Sequence, residues 1–246
     1  MLPSRCELKY LVPERIACAV RDAAAPHLRP DEHATQPHAG YPVCSLYLDS
    51  PDWALFRHTA EGRAQRFKLR VRFYDDCPDS PVFCEIKHRQ GQAIIKQRVL
   101  VSRPMVQEAL LGRSTDDFRV INAGGSDDAD CVNSWHEFWR LQRQLRATGR
   151  VFVVYNREAY VGRDDSNTRV TFDRQLLGKP YTLGEPLHVP TSGSSPPLRD
   201  VILELKFDGR FPSWMHQLVQ RFQLERASMP KYIECVRACG LFSSTV

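Results

Sequence analysis

The sequence predicts an α+β domain built around an antiparallel sheet or barrel. Three observations carry that reading. Eight short segments of strand type follow one another, mostly strand after strand, with about five helical segments between them in irregular order. Nearly every strand alternates an apolar face with a face of mixed bases and acids. The 246 residues, 42% hydrophobic and 26% charged, show no internal repeat or low-complexity tract, which suits one domain across 1–246.

The first strand, Arg5–Val12, puts Glu7 and Lys9 on one face and Cys6, Leu8 and Tyr10 on the other. Pro13 then suits the first turn of a helix over 13–27, because its φ is preset and its missing N–H would be unbonded there anyway. In the strand at 43–49, Tyr47 and Asp49 alternate with Leu46 and Leu48. At 66–74, Arg66, Lys68, Arg70 and Arg72 lie opposite Phe67, Leu69, Val71 and Phe73. The strand at 82–88 sets Glu85 and Lys87 against Cys84 and Ile86, and the one at 94–101 places Lys96 and Arg98 together. A helix over 104–111 follows Pro104, and the Gly- and Asp-rich stretch 122–130 reads as a loop. The helix over 134–147 carries an apolar stripe of Trp135, Phe138, Trp139 and Leu141.

Two strands follow at 151–160 and 169–173. Tyr155 and Arg157 share a face of the first, and Arg169, Thr171 and Asp173 a face of the second. The stretch 188–199, containing VPTSGSSPPLR, is a second loop. The last strand, 201–207, alternates Glu204 and Lys206 with Leu203, Leu205 and Phe207. Helices over 212–224, with Trp214, Leu218, Val219 and Phe222 on one side, and over 230–239 complete the chain.

Four successive cations on one strand face repel unless anions neutralise them or water screens them. An open sheet would turn this charge to solvent. A closed barrel would cover the apolar outside with helices and line a lumen with the charges. A charged lumen is costly to build and makes sense only when a polyanion, with metal, fills it. The alternation itself leaves both arrangements open.

Composition narrows the rest. The net charge of +5, 34 Lys and Arg against 29 Asp and Glu, leans towards an anionic partner without naming it. No apolar run reaches the roughly 18–20 residues of a membrane helix, and MLPSRCELKY lacks the apolar core of a secretory signal. The expectation is a soluble, cytoplasmic protein without a membrane segment of its own. The eight cysteines form no C-x-x-C pair and no zinc-ligand spacing, and Cys235 and Cys239, four apart on a helix, read as small buried hydrophobes. His88 and His136 read as packing or surface residues. Nucleic-acid binding fits poorly, since Phe67 and Phe73 lie opposite Arg70 and Arg72 instead of beside them as stacking platforms.

The strings ELKYLV at 7–12, SLYLDSPDWALF at 45–56, FKLRVRFY at 67–74 and FCEIKHR at 83–89 resemble the VTC domain. The likeness continues through VYNREAYVG at 154–162, RVTFD at 169–173, ILELKFDGRFPSWM at 202–215 and PKYIECV at 230–236. That domain is the polyphosphate polymerase module of the vacuolar transporter chaperone complex, occurs also in bacterial proteins, and belongs to the triphosphate tunnel metalloenzymes, or CYTH superfamily. The resemblance implies a closed antiparallel barrel with helices packed on the outside and a lumen that binds triphosphates with Mn²⁺ or Mg²⁺.

Carried over by position, it implies phosphate binding by Lys9, Arg70, Arg72, Lys87, Arg157, Arg169, Lys206 and Lys231, with Lys96 and Arg98 contributing. Glu204 is the implied metal ligand, Glu7, Glu85 and Asp173 are supporting acids, and Tyr155 is a nucleotide or phosphate contact. Replacing Arg70, Arg72 or Lys87 by Ala is expected to abolish phosphate binding with little loss of folding. The implied activity moves the terminal phosphate of ATP onto a growing polyphosphate chain. The alternatives are hydrolysis of inorganic triphosphate or another small triphosphate, and polyphosphate or nucleotide binding without turnover. Two positions depart from the family pattern: Arg5 stands where many members have the first glutamate of E-x-E-x-K, and Pro230 where many have serine. The resemblance implies the catalytic module alone, without the membrane and sensor segments of the eukaryotic complex, and leaves room for a membrane partner.

Overall fold

Alternation with a period of two becomes nine strands, all paired antiparallel, in a computed structural model that describes residues 5–34, 38–91, 93–113, 128–165, 167–198 and 200–242. The order is β1 (Arg5–Val12), α1 (Glu14–Ala24), a 3-10 turn (Ala25–His27), β2 (Leu28–Pro30), β3 (Tyr41–Asp49), α2 (Ala54–Ala60), β4 (Gln65–Phe73) and β5 (Val82–Gln90). Then come β6 (Ala93–Val101), α3 (Arg103–Leu110), α4 (Asp128–Leu145), β7 (Thr148–Gly162), β8 (Arg169–Pro180), β9 (Val201–Asp208), α5 (Ser213–Arg221) and α6 (Lys231–Ala238). Every expected strand and helix is present. The short β2 and α2 were not expected, and of the expected loop at 122–130, residues 122–127 lie outside the described residues while 128–130 begin α4. No helix among the described residues is long and apolar enough to cross a membrane.

The strands line up as β2-β7-β3-β4-β5-β6-β1-β9-β8, and β8 also pairs with β7. The expected full closure is not reached along one seam. Strands β1 and β6 meet at the single pair Arg5↔Ile94. Beyond it, the free edge of β1 pairs Tyr10 with Arg226, and the Lys9 carbonyl accepts the Ala227 N–H at 2.9 Å. The segment before α6 thus takes the edge that β6 leaves, so the sheet is not a barrel sealed along its length.

Two apolar clusters form on the face away from the charges. One packs Leu46, Leu69, Val71 and Ile86 under α4 through Trp135 and Phe138. The other packs Tyr10, Phe172, Leu203 and Leu205 under α1 and α5 through Val20 and Met215. A third cluster lies on the charged face and corrects the expectation that helices cover only the outside. Val43, Tyr47, Val151, Val153 and Tyr155 of β3 and β7, and Ile202 of β9, pack against Tyr232, Ile233 and Val236 of α6. These strand residues share their face with Arg157 and Glu204 by the two-residue period, so α6 fills one end of the space the charges line.

Two devices fix α6 there. Asp49, fully buried, accepts the Leu55 and Phe56 N–H groups at 2.9 and 2.8 Å and the Tyr232 hydroxyl at 2.7 Å, which caps α2 and ties α6 to it. Gly178 of β8 lets α6 approach closely: a Cβ there would sit 2.8 Å from the Cys235 Cβ and 3.0 Å from the Cys239 Sγ. Gly178→Ala is therefore expected to cost about 1–3 kcal/mol through overpacking and to lower Tm. An unchanged Tm would show that α6 is not held by this contact.

Candidate functional site

Between α6 and the charged strands lies a cavity of about 610 Å³, within the roughly 300–1,000 Å³ usual for small-ligand sites. Its wall is built by the alternation that makes the outer clusters. Whenever Leu69, Val71, Leu203 and Leu205 face out, Lys68, Arg70, Arg72, Glu204 and Lys206 must face in. Eleven Lys and Arg line it against two carboxylates, Glu7 and Glu204, so the wall as a whole is a cation surface.

Glu204 is the hub of the inner end. Its Oε1 receives Lys9 at 3.0 Å and Lys231 at 2.8 Å, and its Oε2 receives Lys206 at 2.6 Å and Arg157 at 3.3 Å. The Thr171 hydroxyl donates to the same Oε2 at 3.3 Å. Burial alone would raise the Glu204 carboxyl, but Lys206, Lys231, Lys9 and Arg157 hold it well below the usual carboxylate range. Asp173 binds Arg157 through two parallel bonds of 2.7 Å and Lys231 at 2.7 Å, and these two cations outweigh its burial and lower its pKa. Glu7 bridges Lys9 and Lys87, each at 3.0 Å.

A second group surrounds Glu85, which is fully buried. Arg70 binds it at 2.6 Å and Lys96 at 2.5 Å, while Arg72 stands 4.0 Å away. Burial would raise this carboxyl, and Arg70, Arg72 and Lys96 bring it well below the ordinary range. Arg70 also donates to the Tyr47 hydroxyl at 3.0 Å. Arg72 donates to Ser45 and to the Tyr155 hydroxyl, both at 3.1 Å. Arg72 is thus held by neutral hydroxyls, whereas Arg70 is neutralised by a carboxylate.

Of the residues the sequence singled out, Lys9, Arg70, Arg72, Lys87, Arg157, Lys206, Lys231, Glu7, Glu204 and Tyr155 line the cavity together. Glu85 and Asp173 stand behind that wall as partners of its arginines. Lys96, Arg98 and Arg169 are not part of it: Lys96 binds Glu85, Arg98 lies over the Phe83 ring, and Arg169 binds Asp31 and Tyr41. Sequence reasoning missed Tyr47, Ser45 and Thr171 as hydroxyl partners and Thr59 as a wall residue. Tyr47 and Thr171 stood on the charged faces, but nothing in a two-residue period says that a hydroxyl orients an arginine.

The expected metal ligand is Glu204, and both of its oxygens hold cations from the protein's own side chains. Among the described residues no three His, Cys, Asp or Glu are grouped to hold a metal ion. A metal on Glu204 would have to displace ammonium groups 2.6–3.0 Å away, so the protein's own cations and a metal compete for the same two oxygens.

Residues 4–239 match the VTC domain. Two solved structures follow a similar course. One is a candidate adenylate cyclase from Bacillus halodurans, 10% identical over 93% of this chain and 94% of its own, with a TM-score of 0.49. The other is a candidate adenylate cyclase from Vibrio parahaemolyticus, 13% identical over 96% of this chain and 99% of its own, with a TM-score of 0.46. No curated protein matches the chain.

Proposed function

The chain belongs to the VTC domain family, and from that premise we propose that its cavity binds ATP and transfers the terminal phosphate onto a growing polyphosphate chain. The observation that carries this reading is the charge imbalance of the wall, eleven Lys and Arg against two carboxylates lining one cavity. Glu85 and Asp173 behind the wall offset part of this excess, and a multiply charged anion suits the rest. In this reading the seam between β1 and β6 is the side of a tunnel wall that the segment before α6 completes.

Phosphoryl transfer asks the protein for positioning and charge neutralisation more than for covalent chemistry. Arg70 and Arg72, projecting from one strand, present planar forks to phosphate oxygens. Lys9, Lys206 and Lys231 neutralise charge that moves towards the leaving diphosphate. Mg²⁺ or Mn²⁺ would reach the cavity as part of the nucleotide substrate. The acceptor is the terminal phosphate of a chain, already anionic, and needs no base to activate it.

The acids bear on the choice between transfer and hydrolysis. Glu7, Glu85 and Glu204 are all held well below the usual range by their cation partners. A carboxylate so lowered is a weak base for drawing a proton from water, which favours transfer over the triphosphatase alternative. Incubation with ATP and Mn²⁺, with and without a short polyphosphate primer, tests the reading. Chain growth with matching ADP is expected. Free phosphate without chain growth would replace polymerase by hydrolase, and triphosphate binding without either product would leave a binding protein.

Proton uptake provides a further check. Burial pushes the Lys206 ammonium down to about 7, against the pull of Glu204, with Arg157 adding to the depression. Glu7 of β1 and Arg169 of β8 face it across the neighbouring strands. A bound phosphate favours the charged form and raises the Lys206 pKa. Between about pH 7 and 9, binding should therefore draw in up to about one proton. Calorimetric titration with tripolyphosphate at pH 8, in buffers of different ionisation enthalpy, should show heats that vary with the buffer, and Lys206→Met should remove the variation. Equal heats in all buffers for the unaltered protein would contradict this.

A further inference from the structure

The sequence counts Lys96 among the phosphate-binding cations, yet it does not line the cavity. It stands on β6 opposite Lys87 of β5 in register and reaches diagonally to Glu85, two residues along β5. Diagonal neighbours of this kind are within reach of long side chains. Among the described residues β6 meets β1 only at Ile94, and the Lys96 side chain is 37% exposed. Its ammonium nevertheless reaches the fully buried Glu85. Burial pushes that ammonium down to about 7, against the pull of Glu85, with Arg70 and Arg72 adding to the depression.

Glu85 divides its two oxygens between cations. Oε2 is bound to Arg70 at 2.6 Å, while Oε1 lies 2.5 Å from Lys96 and accepts no hydrogen bond from any other described residue. The Arg72 Nε stands 4.0 Å from Oε2, and a shift of about 1 Å would bring it to hydrogen-bond length. Arg72 is kept in the cavity wall by the Ser45 and Tyr155 hydroxyls, and a neutral hydroxyl binds a guanidinium roughly half as strongly as a carboxylate does. A buried carboxylate that loses one of its cations is strongly unfavourable, and Arg72 is the nearest replacement. We propose that Lys96 is a positioning residue for the phosphate site: by holding Glu85 it keeps that carboxylate from drawing Arg72 out of the cavity wall. This rests on the triphosphate reading of the cavity and adds to it a residue that acts from behind the wall.

Tripolyphosphate titrations at pH 6, where Lys96 carries its proton, test this. Lys96→Met should weaken binding about tenfold, and Lys96→Arg should stay within about twofold of the unaltered protein. Added to Arg72→Ala, Lys96→Met should cost less than about twofold more, because the residue it acts through is gone. Added to Lys96→Met, Glu85→Gln should return most of the affinity, because the carboxylate that draws Arg72 is gone. Glu85→Gln and Glu85→Gln/Lys96→Met carry no orphaned carboxylate, so they serve even where Lys96→Met alone folds poorly, and they should bind within about twofold of each other. A full further tenfold loss in the Arg72→Ala background would make Lys96 a phosphate ligand or a plain source of positive potential, and would overturn the proposal. So would undiminished affinity in Lys96→Met, a loss that Glu85→Gln leaves in place, or full affinity in Arg72→Ala. These outcomes defeat the role of Lys96 alone, whereas an unaltered protein that does not bind tripolyphosphate defeats the triphosphate reading itself.

Discussion

Glu204→Gln should destabilise the anion-free protein by about 3–5 kcal/mol, the range expected when one member of a buried ionic network is removed and its partners stay behind. The substitution keeps the shape and takes away the charge that Lys9, Lys206, Lys231 and Arg157 share, at a residue only 3% exposed. Lys206, which burial already pushes down to about 7, should lose its proton first and relieve part of the cost. The sign of the pH dependence follows. Lysines depressed in the folded state bind fewer protons there than in the unfolded chain. The variant's stability should therefore rise between about pH 7 and 9, more steeply than that of the unaltered protein.

Added tripolyphosphate should restore much of the loss, because the freed cations bind it. At a hundred times its Kd a ligand returns about 2.7 kcal/mol. Melting curves at several pH values, with and without tripolyphosphate, check all three statements. A variant that melts with the unaltered protein would mean that the four cations do not depend on Glu204. A large loss that tripolyphosphate does not restore would mean that the hub is structural and not an anion site.

The Glu204 hub shows where sequence reading stops. The alternation of Glu204 and Lys206 with Leu203 and Leu205 was enough to assign the strand and its charged face. It could not show that four cations from β1, β7, β9 and α6 converge on one carboxylate, because convergence depends on strand register and on where α6 lies. The helix itself was legible from its sequence, but its side of the sheet was not: Tyr232, Ile233 and Val236 are apolar and would suit either face. The same limit applies to the seam, where the Arg226 and Ala227 contacts with β1 are set by tertiary geometry alone. Strand β2, three residues long, and helix α2, seven long and entered through Trp53 at φ 61°, are too short to impose a period that a reader could find. Arg98 and Arg169 matched the right face pattern and still lie outside the cavity wall, since sharing a face does not fix depth along the strand.

The two arginines of β4 looked alike in sequence, and the structure separates them. Arg72→Ala should weaken tripolyphosphate binding by about 2–3 kcal/mol, roughly 30- to 150-fold, the scale of a charge-assisted phosphate contact. It should leave Tm nearly unchanged, because the partners it abandons are the Ser45 and Tyr155 hydroxyls, which water entering the enlarged cavity can serve. Arg70→Ala should weaken binding too, but with a lower Tm. Glu85, fully buried, would keep only Lys96 at 2.5 Å and Arg72 at 4.0 Å, and the cost should fall towards the lower end of about 3–5 kcal/mol. Adding Glu85→Gln to Arg70→Ala should recover stability without recovering affinity, since it removes the orphaned charge and adds no phosphate donor that replaces the guanidinium. Equal Tm losses in the two single variants would contradict the distinction between a guanidinium bound to a carboxylate and one held by hydroxyls. Full affinity in Arg72→Ala would remove that residue from the phosphate site and shift the role to Lys231 and Arg157.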